Sequence, residues 1–223
     1  MPLAGKGMLL TSMDIDPEHE ADFNRWYDRE HLEERVAIDG FLEARRYLAY
    51  QASPKYLFLY STATLEVLDS PAYRARLAHP TEWSQRTMAR FRNMIRAVAH
   101  ITVSRGTGRG AVLGIIRFRP LPGSEDTFRV ELALKLDPTG LDGIISMHLI
   151  ESDARLSGPT AELPAAAGAS DWFVLIDGTS VNAVAALMNA RFETFTAPMQ
   201  ATPISQGIYH LMWDVAKSDI ALS

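Results

Sequence analysis

The two halves of the chain repeat one pattern of strands and helices, and this repeat constrains the fold more than any local signal does. The first half opens with the apolar run Gly7 to Ile15, and the second half opens with Gly110 to Phe118. Both runs have the composition of β-strands. An acidic segment with helical character follows each of them, over Asp16 to Ile38 and over Ser124 to Leu136.

The later elements of the two halves correspond in the same way. The second strands of the two halves are predicted to begin at Gly40 and at Gly143. The third strands are predicted over Tyr56 to Thr62 and over Trp172 to Asp177. Each half then continues with a second helical region (Pro71 to Ile95; Val181 to Phe195) and a last strand (Ala97 to Val103; Gly207 to Trp213). The second half has an extra loop, predicted over Ser157 to Ala169 from its proline, glycine and alanine content.

Each half therefore has the order β-α-β-β-α-β, which is the order of the ferredoxin-like fold. Such a sheet carries its helices on one face, yet these strands are apolar on both faces, so the second face needs a cover. We predict an α+β protein whose two ferredoxin-like repeats, residues 1–105 and 110–223, pack sheet to sheet as an α+β barrel within one chain. The glycine-rich segment Ser104 to Arg109 is the predicted linker.

Composition narrows the partners of this protein. The chain has 27 acidic and 22 basic residues and a net charge of -5, so we expect neither nucleic acid nor a membrane surface as a partner. It has no cysteine, which excludes disulfides and a cysteine nucleophile. No apolar run approaches the roughly 18 residues of a spanning helix, and a cytoplasmic location is expected. Because the duplication supplies an internal partner sheet, both a monomer and a homodimer remain open.

The first helical segment presents an unusual mixture of side chains. Asp16 and Pro17 are a typical helix start. Helical spacing places aromatic and acidic residues on one face, with two polar residues on its flank: Phe23, Trp26, Tyr27, Glu30 and Glu34, flanked by Asn24 and His31. Since an unpaired buried charge is costly, the carboxylates indicate either a polar cavity or an interruption of the helix near His31.

The spacing Phe23-x3-Tyr27-x3-His31, followed by Gly40 and a strand with Arg45, Arg46 and Tyr47, resembles the EthD-like branch of the dimeric α+β barrel superfamily. The resemblance covers residues 7 to 105. It implies a pocket between helix and sheet or inside the barrel, and chemistry without a cofactor on aromatic or polyketide-like molecules. His31 matches the motif histidine, and Tyr27 and Trp26 would surround it. The second half has Phe128 but not the motif, which implies one active site per chain or none.

Strand alternation supplies a second group of polar candidates on the face away from the helices: Glu43, Arg45, Tyr47, Ser146 and His148, joined by the corresponding His100 and His210 of the last strands. One interpretation is a cavity in which Arg45 holds a carboxylate or phenolate while a histidine moves a proton. The other is a hydrogen-bonded polar layer that fixes the packing of the barrel. No H-x-H or HExxH spacing supports a metal site.

The sequence thus predicts a small-molecule enzyme without a cofactor that acts on an aromatic, polyketide-like or cyclic ketone substrate, of the isomerase, cyclase, decarboxylase or lyase type. His31 is the predicted general acid/base, and Tyr27 and Arg45 would orient the substrate. The predicted substrate-binding residues are Asn24, Trp26, Glu30, Tyr47, His100, His148 and His210. Two alternatives are a haem-binding barrel, with His100, His148 or His210 as axial ligand, and a ligand-binding module without catalysis.

Overall fold

A computed structural model describes residues 3–158, 167–193 and 200–220, which form a closed barrel of antiparallel strands. The strands are β1 (Gly7–Asp14), β2 (Phe41–Gln51), β3 (Tyr56–Thr62), β4 (Arg92–Gly106), β5 (Val112–Pro120), β6 (Ile144–Ser152), β7 (Trp172–Gly178) and β8 (Ala201–Ala216). Their order around the barrel is β1-β3-β2-β8-β5-β7-β6-β4. The predicted fold class is confirmed.

The barrel closes where the two repeats meet at their sheet edges. The first repeat has the order β4-β1-β3-β2 and the second has the order β8-β5-β7-β6. β2 pairs with β8, and β4 pairs with β6, both antiparallel. Each repeat therefore supplies the strand that pairs with the edge of the other, and none of the eight strands within the described residues is left as an unpaired edge.

Helices cover the outside of the barrel. They are α1 (Glu20–Trp26), α2 (Leu32–Val36), α3 (Pro71–Ala78), α4 (Glu82–Met88), α5 (Glu125–Lys135), α6 (Ala154–Ser157), α7 (Val181–Met188) and α8 (Lys217–Ile220). A 3₁₀ turn at Pro17–His19 precedes α1, and a π-helical turn at Tyr27–His31 joins α1 to α2. Within the described ranges, no helix is long and apolar enough to cross a membrane.

The arginine-rich region between β3 and β4 differs from its prediction. Helix was expected to reach Ile95, but α4 ends at Met88 and β4 begins at Arg92. Pairing with β1, which joins Ser12 to Ile95 and Asp14 to Arg92, overrides the local helical propensity. β4 also continues to Gly106, so it includes the first residues of the predicted linker. The predicted loop Ser157 to Ala169 and the end of the predicted helix Val181 to Phe195 fall largely outside the described residues.

Apolar side chains pack on both sides of the barrel wall. Met8, Leu10, Leu57 and Leu59 belong to the cluster inside the barrel. Alternate residues of the same strands, such as Leu9, belong to a cluster under α1 and α2. A third cluster packs under the helices of the second repeat. The interior is thus filled with side chains, as the apolar character of both strand faces predicts.

A glycine precedes the second strand of each repeat, because the backbone there has a positive φ angle and lies close to a helical segment. Gly40 and Gly143 have φ angles of 84° and 76°, a region that favours glycine. A Cβ atom would lie 2.5 Å from Val67 at Gly40 and 2.8 Å from Ala183 at Gly143. A larger residue at either position would therefore displace the helical segment that packs there.

Candidate functional site

A cavity of about 290 Å³ lies between the first helical segment and the outer face of the sheet. Apolar side chains such as Leu9, Met13, Met88 and Phe91 form much of its wall, and exposed Gln85 and Ala89 lie at its rim. Its polar groups include Thr11, Tyr27, His31, Arg35, Tyr60 and Arg96. A concave, mainly apolar site with a few polar groups is typical of small-ligand sites.

The π-helical turn brings the two motif residues into this cavity. Tyr27 and His31 are buried at either end of the turn, with ring centroids 5.2 Å apart. A π turn accommodates an additional residue, and such turns are frequent at functional sites. After it, Leu32 and Arg35 point inward from α2. The predicted interruption near His31 is therefore a wide turn within a continuous helical segment.

His31 is held in a desolvated position against Trp26. Its ring centroid lies 4.1 Å from that of Trp26, only 8% of the residue is exposed, and its Nδ1 has no hydrogen-bond partner. Burial lowers the pKa of His31 well below its ordinary value, and the positive charge of Arg35 adds to this effect. The imidazole is consequently neutral near pH 7 and can accept a proton.

Two tyrosines with protonated hydroxyls, Tyr27 and Tyr60, line the same cavity as His31. The Tyr27 ring stacks on Phe58 at 3.9 Å, and its hydroxyl lies 3.8 Å from the sulfur of Met13. Burial is the main cause that raises the pKa of Tyr27 well above its ordinary value, and the neighbouring Tyr60 adds to it. Burial likewise raises the pKa of Tyr60. Both hydroxyls therefore remain hydrogen-bond donors at every physiological pH.

Trp26 does not line the cavity but fixes the ring of His31 from behind. Its Nε1 donates to Oε1 of Glu30 and to Oγ of Ser84, both at 3.1 Å. The hydroxyls of Thr81 and Ser84 also donate to Glu30, at 2.7 and 3.1 Å. Glu30, predicted to bind substrate, is instead the acceptor that ties the first helical segment to α4.

Asn24, also predicted to bind substrate, faces a buried arginine instead of the cavity. Its Oδ1 accepts a hydrogen bond from Arg46, whose other nitrogen donates to Asp28 at 2.5 Å. The Arg46 guanidinium lies 5.1 Å from the ring centroid of Tyr27. Asn24 therefore helps to orient Arg46 against the aromatic cluster that includes Tyr27.

Arg45 lies on the other side of the barrel wall, so the three predicted catalytic residues do not meet. Its Nη2 donates to Glu43 at 2.9 Å, and its Nη1 lies 3.8 Å from Asp177. Both ring nitrogens of His148 contact serine hydroxyls at 3.0 Å, those of Ser104 and Ser146. Buried Tyr47 belongs to the same interior. The predicted polar group inside the barrel is confirmed for Glu43, Arg45, Tyr47, Ser146 and His148.

His100 and His210 were expected inside the barrel, and that prediction is wrong. Both are exposed. Their neighbours Ala99 and Tyr209 point inward, which turns the two histidines to the outer face because successive side chains alternate. His210 lies beside the exposed Tyr50, at 5.3 Å between ring centroids.

Several site residues were missed by the sequence analysis. Arg35 follows His31 by four residues, a spacing that places both on one side of a helix. Tyr60 alternates with Tyr56 and Phe58 on the helix-facing side of β3, and this pattern was available in the sequence. Nothing in the local sequence signals that Arg96 reaches the same cavity, or that Asp177 joins Arg45 and His148.

The matching region of the second repeat is occupied by aromatic side chains. Phe128 lies 5.5 Å from Phe118 and 5.6 Å from Trp172, between ring centroids. Next to it, Arg129 donates to both carboxylate oxygens of Glu151 at 2.7 Å. The surroundings of Phe128 thus differ from those of Tyr27 and His31 in the first repeat, where the candidate site lies.

The fold and the site together define a class: a tandem ferredoxin-like α+β barrel with a ligand-sized cavity beneath its first helical segment. An anthrone oxidase-like protein has the same fold, with a TM-score of 0.63 at 9% identity, over 95% of this chain and 93% of that one. A proposed monooxygenase from Fusobacterium nucleatum has a TM-score of 0.59 at 9% identity, over 96% of this chain and 95% of that one. A haem-binding protein from Thermus thermophilus has a TM-score of 0.51 at 10% identity, over 99% of this chain and 95% of that one.

At these identities the similarities establish the fold alone. A scan against models of protein families gives no match, and neither does a search of curated protein sequences. The function must therefore be inferred from the side chains of the site.

Proposed function

We propose that this protein is an enzyme that needs no cofactor and uses His31 as general base on an aromatic or cyclic ketone. The observation that carries the proposal is a neutral, desolvated histidine in the wall of a mainly apolar cavity of about 290 Å³. A catalytic base must be unprotonated at the working pH and must lie where a substrate binds. The lowered pKa of His31 and its place in the cavity wall support this role.

The neighbouring groups suit proton abstraction next to a carbonyl. In this proposal His31 takes a proton from the carbon beside the carbonyl. The electron pair of that C–H bond forms the C=C bond of an enolate, and the C=O π pair moves to the oxygen. The hydroxyls of Tyr27 and Tyr60 donate hydrogen bonds to the developing oxyanion. The protonated His31 then returns the proton to another carbon of the enolate, which completes an isomerisation. In a cyclisation the enolate carbon instead attacks a second carbonyl carbon of the substrate, whose C=O electron pair moves to its oxygen, and the protonated His31 gives its proton to that oxygen.

The site also favours the EthD-like branch among barrels of this fold. The motif residues Phe23, Tyr27 and His31 lie in one helical segment, and the last two line the cavity. The mainly apolar wall of the cavity makes polycyclic aromatic ketones reasonable first candidates for the substrate.

Haem binding, suggested by the neighbour from Thermus thermophilus, is not supported by His100, His148 or His210, the three axial ligands that the sequence suggested. His148 is buried in the barrel with both ring nitrogens bonded to serines. His100 and His210 are exposed on the outer wall. His31 does line a cavity, but the volume of this cavity, about 290 Å³, lies at the lower end of the range for small-ligand pockets, about 300 to 1,000 Å³.

Hydrogen exchange tests the proposal without knowledge of the full reaction. 2-Tetralone, a bicyclic ketone, would be incubated with the protein in D₂O, and loss of its carbon-bound protons would be followed by NMR. We expect catalysed exchange by the wild-type protein and a decrease of about 100-fold or more in His31→Gln, because general-base catalysis contributes about that much.

His100→Gln is the matched control, since it removes a histidine from the exposed outer wall. It should retain the wild-type exchange rate. Equal exchange by wild-type and His31→Gln would refute the role of His31. Saturable binding of the ketone without any catalysed exchange would instead establish a ligand-binding module.

A further inference from the structure

The charge of the cavity is unbalanced in a protein that is acidic overall. Two arginines, Arg35 and Arg96, belong to its lining, whereas no aspartate or glutamate does among the described residues. The chain as a whole has a net charge of -5. A cavity that concentrates positive charge against this background is complementary to an anion.

Arg35 has the environment of a binding group that lacks its counter-ion. It is 6% exposed and its Nη1 has no hydrogen-bond partner. Among the described residues it forms no ion pair, and the adjacent Glu34 pairs instead with Arg76 at 3.0 Å. Its guanidinium lies 5.9 Å from the ring centroid of Tyr73, another residue of the cavity. Burying a guanidinium without a carboxylate is costly, so such a group is usually paired or serves a ligand.

Arg96 reaches the cavity from β4, whereas Arg35 belongs to α2. It is also 6% exposed, it pairs across the strands with Thr11, and its Nη1 donates to the carbonyl oxygen of Leu156 at 2.9 Å. This neutral acceptor fixes the side chain but leaves its charge uncompensated by any described carboxylate. Arg35 and Arg96 thus bring positive charge to the cavity from two different elements.

We propose that the natural ligand of this cavity is an aromatic carboxylate, with Arg35 as its principal anchor and Arg96 as a second positive group. The planar guanidinium can bind a carboxylate through two parallel hydrogen bonds, and the apolar wall receives the ring. This inference rests on the proposed function, because it assigns the substrate class of the same site. A ketone that carries a carboxylate would place its carbonyl beside His31 while Arg35 holds its acidic end.

A pair of nearly isosteric probes separates charge from shape. Binding of 2-naphthoate and of neutral 2-naphthamide would be measured by calorimetry with the wild-type protein, Arg35→Met and Arg29→Met. Arg29 is the matched control, since it lies exposed in the same helical segment. We expect wild type to prefer the carboxylate by about tenfold or more, Arg35→Met to lose that preference, and Arg29→Met to keep it.

Each outcome decides a separate point. Equal binding of both probes by wild type would refute the anionic ligand and leave the proposed enzyme intact. Preference for the carboxylate that persists in Arg35→Met would refute Arg35 as the anchor. Ala89→Trp, which places a large ring at the rim, should weaken both probes, and unchanged affinity would place the ligand elsewhere. Binding of neither probe by wild type would overturn the aromatic carboxylate as ligand, whereas the exchange of 2-tetralone would decide the proposed function separately.

Discussion

The imidazole of His31 lies against the indole of Trp26, with ring centroids 4.1 Å apart and planes inclined by 30°. The indole is itself fixed, because its Nε1 donates to Glu30 and Ser84. An imidazole that is held on one side by a fixed ring has little rotational freedom, which suits the role of base that we propose for His31. Such pre-organisation lowers the entropic cost of bringing base and substrate together.

The pH dependence of catalysis should report the lowered pKa of His31. Burial and the charge of Arg35 both lower it, so kcat/KM for ketone exchange should stay constant as pH falls to about 6.5 and decrease only below that. Arg35→Met should move the acidic limb upward, since it removes one of the two causes. The profile would be measured with 2-tetralone, and an acidic limb above pH 7 would contradict a neutral buried His31.

Stability should fall with acidity for the same physical reason. The folded-state pKa values of His31 and His148 are lowered, so between these values and about 6.5 the unfolded chain binds more protons than the folded one. The two neutral histidines stabilise the fold fully above about pH 6.5. As pH falls from there toward the folded-state pKa values, the free energy of unfolding decreases by up to about 1.4 kcal/mol per pH unit for each histidine.

Urea unfolding at a series of pH values checks this dependence. Below about pH 6.5, His31→Gln should make the free energy of unfolding depend less steeply on pH, because it removes one of the two contributing groups. His100→Gln, on the exposed wall, should leave the slope unchanged. An unaltered slope in His31→Gln would show that His31 is not buried in its neutral form.

Arg35→Met should make the protein more stable in the absence of ligand. Methionine retains much of the apolar stem of arginine and removes a buried charge that has no described counter-ion. We expect a gain of about 1 kcal/mol in the free energy of unfolding. Denaturant titration would measure it, with Arg29→Met as the exposed control. A loss of about 2 kcal/mol or more would assign Arg35 a structural role instead.

The polar group inside the barrel should matter for stability and not for the ligand. Asp177→Ala removes a partner of Arg45 and His148, and breaking such a buried pair costs about 3 kcal/mol. Binding of 2-naphthoate should remain within about twofold of wild type, because the barrel wall separates Asp177 from the cavity.

Exposed Asp142→Ala is the control for the Asp177 variant, and both free energies would come from denaturant titration. Full stability of Asp177→Ala combined with lost binding would move the functional site into the barrel. That result would support the interpretation in which Arg45 holds the anion.

Much of the architecture follows from the repeat and from strand alternation. The alternation placed Glu43, Arg45 and Tyr47 on one side of β2 correctly, because a strand directs successive side chains to opposite faces. It failed for His100 and His210, which were aligned by similarity between the repeats without their inward neighbours Ala99 and Tyr209. A register error of one residue moves every side chain to the other face.

The sequence by itself determined the repeated order of elements, the barrel with two apolar faces, and the pairing of Tyr27 with His31. These depend on periodicities that the backbone imposes locally. Only the tertiary structure decided that Arg35 and Arg96 share a cavity with His31, and that Arg45 does not. The cavity joins side chains from distant elements, and a sheet separates residues that are close along the chain, so both relationships depend on packing that no local pattern encodes.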